Sequence, residues 1–126
     1  MTARILVVDD IEANVRLLEA KLTAEYYDVI TAYDGPTALA MAASECPDIV
    51  LLDVMMPGMD GFEVCRRLKA TPETREIPII FLTGLESDAD EALGLSLGAE
   101  DFIHKPVSPS IVLARVKNHL KLSRAT

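Results

Sequence analysis

The sequence has few of the residues that characterise disulfide-rich, zinc-binding or membrane proteins. Its 126 residues include two cysteines, two histidines and no tryptophan. Cys46 and Cys65 lie far apart without CxxC spacing, so we expect both to be buried small side chains in a reducing compartment. No apolar run approaches the roughly 20 residues of a membrane span, and the N-terminal run is too short for a signal peptide. The predicted location is therefore cytoplasmic.

Basic residues are also scarce, with 12 lysines and arginines against 20 aspartates and glutamates and a net charge of −8. Nucleic-acid binding needs clustered lysine and arginine, so we expect no direct nucleic-acid partner. Half of the residues are hydrophobic and 25% are charged, which is typical of a globular protein. The length predicts one domain, and the excess of acid suits a site that holds cations.

Short apolar segments alternate with helical ones along the whole chain. Strands are predicted at 4–9, 28–32, 48–53, 77–83 and 101–105. Helices are predicted at 12–25, 35–44, 61–70, 87–97 and 109–122. The first, third and fourth strands are apolar at consecutive positions, which indicates burial on both faces of a parallel sheet. The pattern predicts a doubly wound α/β fold with helices on both faces and the flavodoxin-like strand order 2-1-3-4-5, because the Rossmann order needs six strands.

A polar side chain stands at or just beyond the carboxyl end of four of these strands. In the predicted order, the first and third strands are neighbours at the point where doubly wound sheets bind ligands. We therefore expect these side chains to meet at one edge of the sheet. They are Asp9, Asp10, Asp53, Thr83 and Lys105.

The charges of this set indicate its chemistry. Three carboxylates in one pocket repel each other and raise at least one pKa, which a divalent cation relieves. Oxygen ligands without nearby histidine or cysteine favour Mg²⁺ or Mn²⁺ over zinc. Lys105 and Thr83 suit phosphate oxygens, and a carboxylate such as Asp53 can itself accept a phosphoryl group. The competing interpretation is that an acid such as Asp10 only caps the following helix.

Four ordered motifs carry a family resemblance. ILVVDD, DIVLLDVMMPGMDG, IIFLTG and DFIHKP resemble the signature blocks of bacterial response-regulator receiver domains, over essentially all of residues 1–126. The N-terminal part is similar to the first receiver of receiver–diguanylate cyclase regulators. The resemblance implies a domain that takes a phosphoryl group from a histidine kinase or phosphotransfer protein. It would catalyse only its own phosphorylation and dephosphorylation, and would control dimerisation or an effector, such as a cyclic-di-GMP enzyme domain.

The resemblance also implies roles for the acidic residues. Asp53 would be the phosphoacceptor. Asp10 and Asp53 would bind the metal directly, with the backbone carbonyl of Met55 as a further ligand. Asp9 would act mostly through metal-bound water.

The remaining implied roles concern the phosphoryl group and the response to it. Thr83 and Lys105 would bind phosphoryl oxygens, and the Lys105–Pro106 peptide bond would be cis. Phosphorylation would draw Thr83 inward and let Phe102 rotate toward the core. The surface of the fourth helix, fifth strand and fifth helix would then change.

A dimer through that surface is a further expectation. Similar receivers that dimerise there carry an aspartate and an arginine at the positions of Asp101 and Arg115, which could pair across a two-fold axis. At Ile111 those receivers often carry an acid, so this chain departs from their pattern.

Two other classes of protein share part of this pattern with receiver domains. A haloacid-dehalogenase-type phosphatase also uses an aspartate nucleophile with Mg²⁺, but it needs a second aspartate where this chain has Met55, and this chain lacks room for a substrate cap. A nucleotide or flavin binder needs a glycine-rich or hydroxyl-rich loop after the first strand, and VVDDIEAN supplies neither.

Overall fold

Strands and helices alternate along the chain. The computed structural model describes residues 2–84 and 88–124, with side chains up to residue 122. The strands are β1 (Arg4–Val8), β2 (Asp28–Ala32), β3 (Ile49–Asp53), β4 (Ile79–Thr83) and β5 (Asp101–His104). The helices are α1 (Glu12–Ala24), α2 (Gly35–Glu45), α3 (Gly61–Ala70), α4 (Asp88–Ser96) and α5 (Pro109–Arg124). Each predicted element is present, with bounds that agree or differ by one or two residues. Ser87, predicted as the start of the fourth helix, lies outside the described residues.

The strands form one parallel sheet with the order β2-β1-β3-β4-β5, which confirms the prediction. Val8 is in register with Leu52, Asp53 with Leu82, and Thr83 with His104. The carboxyl ends of the four strands β1, β3, β4 and β5 are therefore level with one another. The side chains at or just beyond these strand ends therefore lie along one edge of the sheet.

Both faces of the sheet are buried, as the consecutive apolar residues predict. Every residue of β3 and β4 is buried. The face that packs on α2 and α3 carries Leu6, Val8, Val50, Leu52, Ile79 and Phe81. The face that packs on α1 and α5 carries Ile5, Val7, Ile49, Leu51, Ile80 and Leu82. Each such side chain contributes about 1.5–3 kcal/mol on burial, so the core holds the strand ends firmly. None of the described helices is long and apolar enough to cross a membrane.

The loop after β3 returns tightly to the strand that it leaves. The carbonyl oxygen of Val54 accepts hydrogen bonds from the amides of Met56 at 3.1 Å and Gly61 at 2.9 Å. A Cβ at Gly61 would lie only 2.2 Å from the carbonyl oxygen of Asp53, so glycine is required there. Asp60 then caps α3 by accepting the amide of Glu63 at 2.9 Å. The loop thus fixes the backbone at the point where it leaves Asp53.

The two cysteines differ in environment. Cys65 is buried, and burial raises the pKa of its thiol to about 11. Cys46 is exposed, so the expectation of burial is wrong for this residue. The reason is local: Cys46 is the C-cap of α2, where a left-handed φ of 48° ends the helix, and it lies in the exposed part of the turn that leads to β3.

Gly61→Ala is expected to destabilise the fold by about 2 kcal/mol or more, because the added methyl group meets backbone atoms that have no alternative rotamer. Urea unfolding at neutral pH measures the change. Gly84→Ala is the matched control, since no described atom lies within 4 Å of the added Cβ. An equal loss of stability in the two variants would contradict the assigned role of Gly61.

Candidate functional site

Three aspartates converge where β1 and β3 end side by side. One carboxylate oxygen from each of Asp9, Asp10 and Asp53 lies within 4.8 Å of the others. Asp9 is 5% exposed and Asp53 is 3% exposed, whereas Asp10 faces solvent. The three aspartates predicted to share one site are therefore together in the structure.

Lys105 reaches over the two buried acids from the end of β5. Its Nζ lies 3.2 Å from Oδ2 of Asp9 and 3.3 Å from Oδ1 of Asp53. The backbone amide of Lys105 donates to the carbonyl oxygen of Thr83 at 2.7 Å, which ties β5 to the end of β4. The Lys105–Pro106 peptide bond is cis, as the resemblance implies. Lys105 thus bridges the acids of two strands.

The buried charges shift each other's pKa values. Burial, followed by the negative charge of Asp9, raises the pKa of Asp53, against the opposing effects of Lys105 and the backbone amide of Met55. Burial acts to lower the pKa of Lys105, but the carboxylates of Asp53 and Asp9 outweigh it and raise that pKa. Lys105 therefore stays charged. With all three carboxylates ionised and Lys105 protonated, the four side chains carry two net negative charges, which one divalent cation would balance.

Asp9 is held by donors that follow it in the chain. Its Oδ1 accepts the backbone amide of Ile11 at 2.9 Å, and its Oδ2 accepts the side-chain amide of Asn14 at 3.1 Å. The N-cap of α1 is Ile11, and no side chain caps this helix, so the interpretation of Asp10 as a helix cap is not supported. Asn14 is not among the site residues predicted from the sequence. Its signal was a polar residue in the first helical turn after the acids, where side chains point back toward the helix start.

Thr83 and Phe102 occupy neighbouring strands beside the acids. Thr83 is fully buried at the end of β4, one residue beyond the register partner of Asp53. Phe102 is 6% exposed, and its ring centroid lies 5.8 Å from that of Phe81. A Cβ at Gly94 would stand 3.1 Å from the Phe102 ring, so this glycine of α4 makes room for it. The Phe102 ring is thus buried in this structure, and its rotation on phosphorylation stays a prediction.

Asp101 and Arg115 pair with each other within one chain. Nη1 of Arg115 lies 2.9 Å and 2.8 Å from the two carboxylate oxygens of Asp101, and Nε2 of His119 lies 3.1 Å from one of them. Burial acts to raise the pKa of Asp101, but Arg115 and His119 outweigh it and lower that pKa. Pairing of these residues across a two-fold axis would require this internal contact to open.

Comparison with known proteins gives consistent results. The family model described as "Response regulator receiver domain" matches residues 5–117. "Response regulator PleD" of Caulobacter vibrioides (strain NA1000 / CB15N) is 66% identical over 118 residues, which are 94% of this chain and 26% of that protein. The same figures hold for the protein of that name from strain ATCC 19089 / CIP 103742 / CB 15. The chain thus spans about a quarter of the length of these curated relatives.

Solved structures share the fold along nearly the whole chain. A CheY-like response regulator receiver domain protein from Methanospirillum hungatei JF-1 is 29% identical with a TM-score of 0.93, covering 99% of this chain and 98% of that one. The BeF3-activated N-terminal receiver domain of RstA from Klebsiella pneumoniae is 39% identical with a TM-score of 0.85, covering 93% and 97%.

Lys105→Met is expected to raise the pKa of Asp53 further, because it removes the positive charge that favours the ionised carboxylate. Carbon-13 NMR titration of labelled aspartate carboxyls, without divalent cations, measures the midpoint. Lys117→Met is the control, since Lys117 pairs with Glu25 instead. An Asp53 midpoint that stays constant or falls in Lys105→Met would contradict the described electrostatics.

Proposed function

The chain belongs to the response regulator receiver domain family, and we propose that Asp53 is its phosphoacceptor. The observation that carries this proposal is the contact of Asp53 with Lys105 at the end of a fully buried central strand. A rigid strand and a tightly closed loop hold the carboxylate still. The adjacent ammonium group lies where a transferred phosphoryl group would add negative charge.

The proposed reaction is a direct transfer. A carboxylate oxygen of Asp53 forms a bond to phosphorus, while the bond from phosphorus to the donor breaks and the donor departs with its electron pair. Lys105 neutralises oxygens of the phosphoryl group, and the hydroxyl of Thr83 donates to another. The chain's own catalysis is limited to this transfer and to later hydrolysis, and the domain is not otherwise an enzyme.

A divalent cation fits the acidic cluster by its donor set. Three carboxylates supply oxygen ligands within 4.8 Å of each other, and hard cations such as Mg²⁺ or Mn²⁺ prefer such ligands. We propose that Asp10, Asp53 and the carbonyl of Met55 bind it directly, and that Asp9 acts through water. When bound, the cation supplies positive charge that offsets the acids and the phosphoryl oxygens. Because Asp10 is exposed, its carboxylate can bind the cation without first moving out of the protein interior.

The partner that delivers the phosphoryl group is proposed to be a histidine kinase or a phosphotransfer protein. A groove of about 510 Å³ runs beside Asp9 and Lys105. Its apolar lining consists of Leu17, Leu18, Leu82, Pro106 and Val107. Ile11 is 52% exposed and Leu17 is 56% exposed. An apolar helix face could dock there with its histidine directed at the acids.

The output is proposed to pass through α4, β5 and α5, to a second copy or to an effector. Leu93, Leu95 and Ile111 are large apolar residues exposed on the two helices. The similarity to receiver–diguanylate cyclase regulators makes a cyclic-di-GMP enzyme domain the proposed effector, with residues 1–126 acting as one receiver domain. The phosphatase alternative has no support, because Met55 stands where its second aspartate is needed.

Asp53→Asn is expected to abolish labelling by acetyl phosphate, because an amide is a far weaker nucleophile than a carboxylate. Incorporation of phosphorus-32 in the presence of Mg²⁺ measures it, and circular dichroism checks the fold. Asp48→Asn, one residue before β3, is the control. An asparagine side chain at this position can still accept a hydrogen bond from the backbone amide of Arg4. Wild-type labelling of the Asp53 variant would overturn the assignment.

Arg115→Glu is expected to weaken a dimer that beryllofluoride and Mg²⁺ induce, because it replaces the partner of Asp101 with a like charge. Sedimentation velocity of the wild type, of Arg115→Glu and of the control variant measures the dimer fraction. Lys117→Glu is the control, since it makes the same charge change on α5 at a residue that pairs with α1. A wild-type chain that stays monomeric at high micromolar concentration would reject dimerisation and leave a heterologous partner as the output.

A further inference from the structure

The carboxylate of Asp9 is surrounded by donors from three different sources. Oδ1 accepts the amide of Ile11, and Oδ2 accepts both the side-chain amide of Asn14 at 3.1 Å and the ammonium group of Lys105 at 3.2 Å. Ile11 is also the N-cap residue of α1, and Lys105 also contacts Asp53. Within residues 2–84 and 88–122, the side chain of Asn14 makes no other hydrogen bond, and it donates to the same oxygen that Lys105 contacts.

The side chain of Asn14 is not needed to start α1. Ile11 occupies the N-cap position, and the backbone amide of Asn14 already donates to the carbonyl oxygen of Ile11 at 3.0 Å. Side chains in a helix tilt toward its N-terminus, so a residue in the first turn points back at the end of β1. Asn14 is half-buried there and reaches the buried Asp9.

Lys105 cannot satisfy both acids and a phosphoryl group equally. Its Nζ is shared between Asp9 and Asp53 in this structure. When it binds a phosphoryl oxygen, as the proposed function requires, its contact with Asp9 weakens. Asp9 then keeps a buried charge, and buried charges are costly unless donors compensate them. Asn14 is the side-chain donor that remains.

We propose that Asn14 is a positioning residue that holds the Asp9 carboxylate in place for the divalent cation while Lys105 moves to the phosphoryl group. This inference rests on the proposed function. The amide suits the task because it donates a hydrogen bond without adding charge: an aspartate at 14 would increase the repulsion, and a lysine would compete with the cation. Residues that orient metal ligands in this way typically change metal affinity by 10–100-fold when removed.

The test compares Asn14→Leu with the wild type in the chain of residues 1–126, using Mg²⁺ alone as the probe. Leucine keeps the approximate volume and removes the donor. Nitrogen-15 NMR follows the titration through the amide of Ile11, which reports directly on Oδ1 of Asp9. We expect a roughly tenfold weaker affinity for Mg²⁺. We also expect a shifted Ile11 amide signal before Mg²⁺ is added. Asn118→Leu, an exposed asparagine of α5, is the control for the change in helix propensity and should bind like the wild type.

A double-mutant cycle separates positioning from a general structural effect. In an Asp9→Asn background, Asn14→Leu should change the affinity for Mg²⁺ by less than about twofold, because its effect passes through Asp9. Equal affinity in wild type and Asn14→Leu, or an undiminished effect in the Asp9→Asn background, would overturn the proposal while leaving the proposed function intact. A wild-type chain that binds neither Mg²⁺ nor beryllofluoride would overturn both.

Discussion

Repulsion between the buried carboxylates of Asp9 and Asp53 is the constraint on which the rest of the site depends. The strand order makes β1 and β3 neighbours, and their register brings both acids to the same edge. At a separation within 4.8 Å, this repulsion is on the order of 3 kcal/mol at an effective dielectric constant of about 20. Lys105 offsets part of it, but burial and the charge of Asp9 together still raise the pKa of Asp53. The remaining charge makes the site receptive to a cation and, with it, to a phosphoryl group.

The fold maintains this unfavourable arrangement through contacts elsewhere. The apolar residues of β3 and β4 are buried on both faces, and Gly61 lets the following loop close against the backbone of Asp53. Because these contacts do not involve the carboxylates, the acids can lose or gain a ligand without loss of the core. Packing and chemistry are thus separated: the strands supply stability, and the residues just beyond their ends supply function.

Much of this organisation could be predicted from the sequence, because it depends on short-range patterns. Consecutive apolar residues identify buried parallel strands, and the strand order then brings Asp9, Asp53 and Lys105 together. Contacts that depend on side-chain direction or on competing partners could not be predicted in this way. The hydrogen bond from Asn14 to Asp9, the internal pairing of Asp101 with Arg115 and the left-handed backbone at Cys46 are of this kind. Phe102 was placed on the correct strand, but its inward position depends on the space that Gly94 leaves.

The most direct test of the central claim is to locate the phosphoryl group chemically. The chain is incubated with acetyl phosphate in Mg²⁺ or in excess chelator, and any acyl phosphate is trapped by borohydride reduction, which converts a phosphorylated aspartate to homoserine. Mass spectrometry of the peptides then identifies the modified position. The account predicts homoserine at residue 53, only in the sample with Mg²⁺. Modification at Asp9 or Asp10, or equal modification at Asp53 with the chelator present, would contradict it.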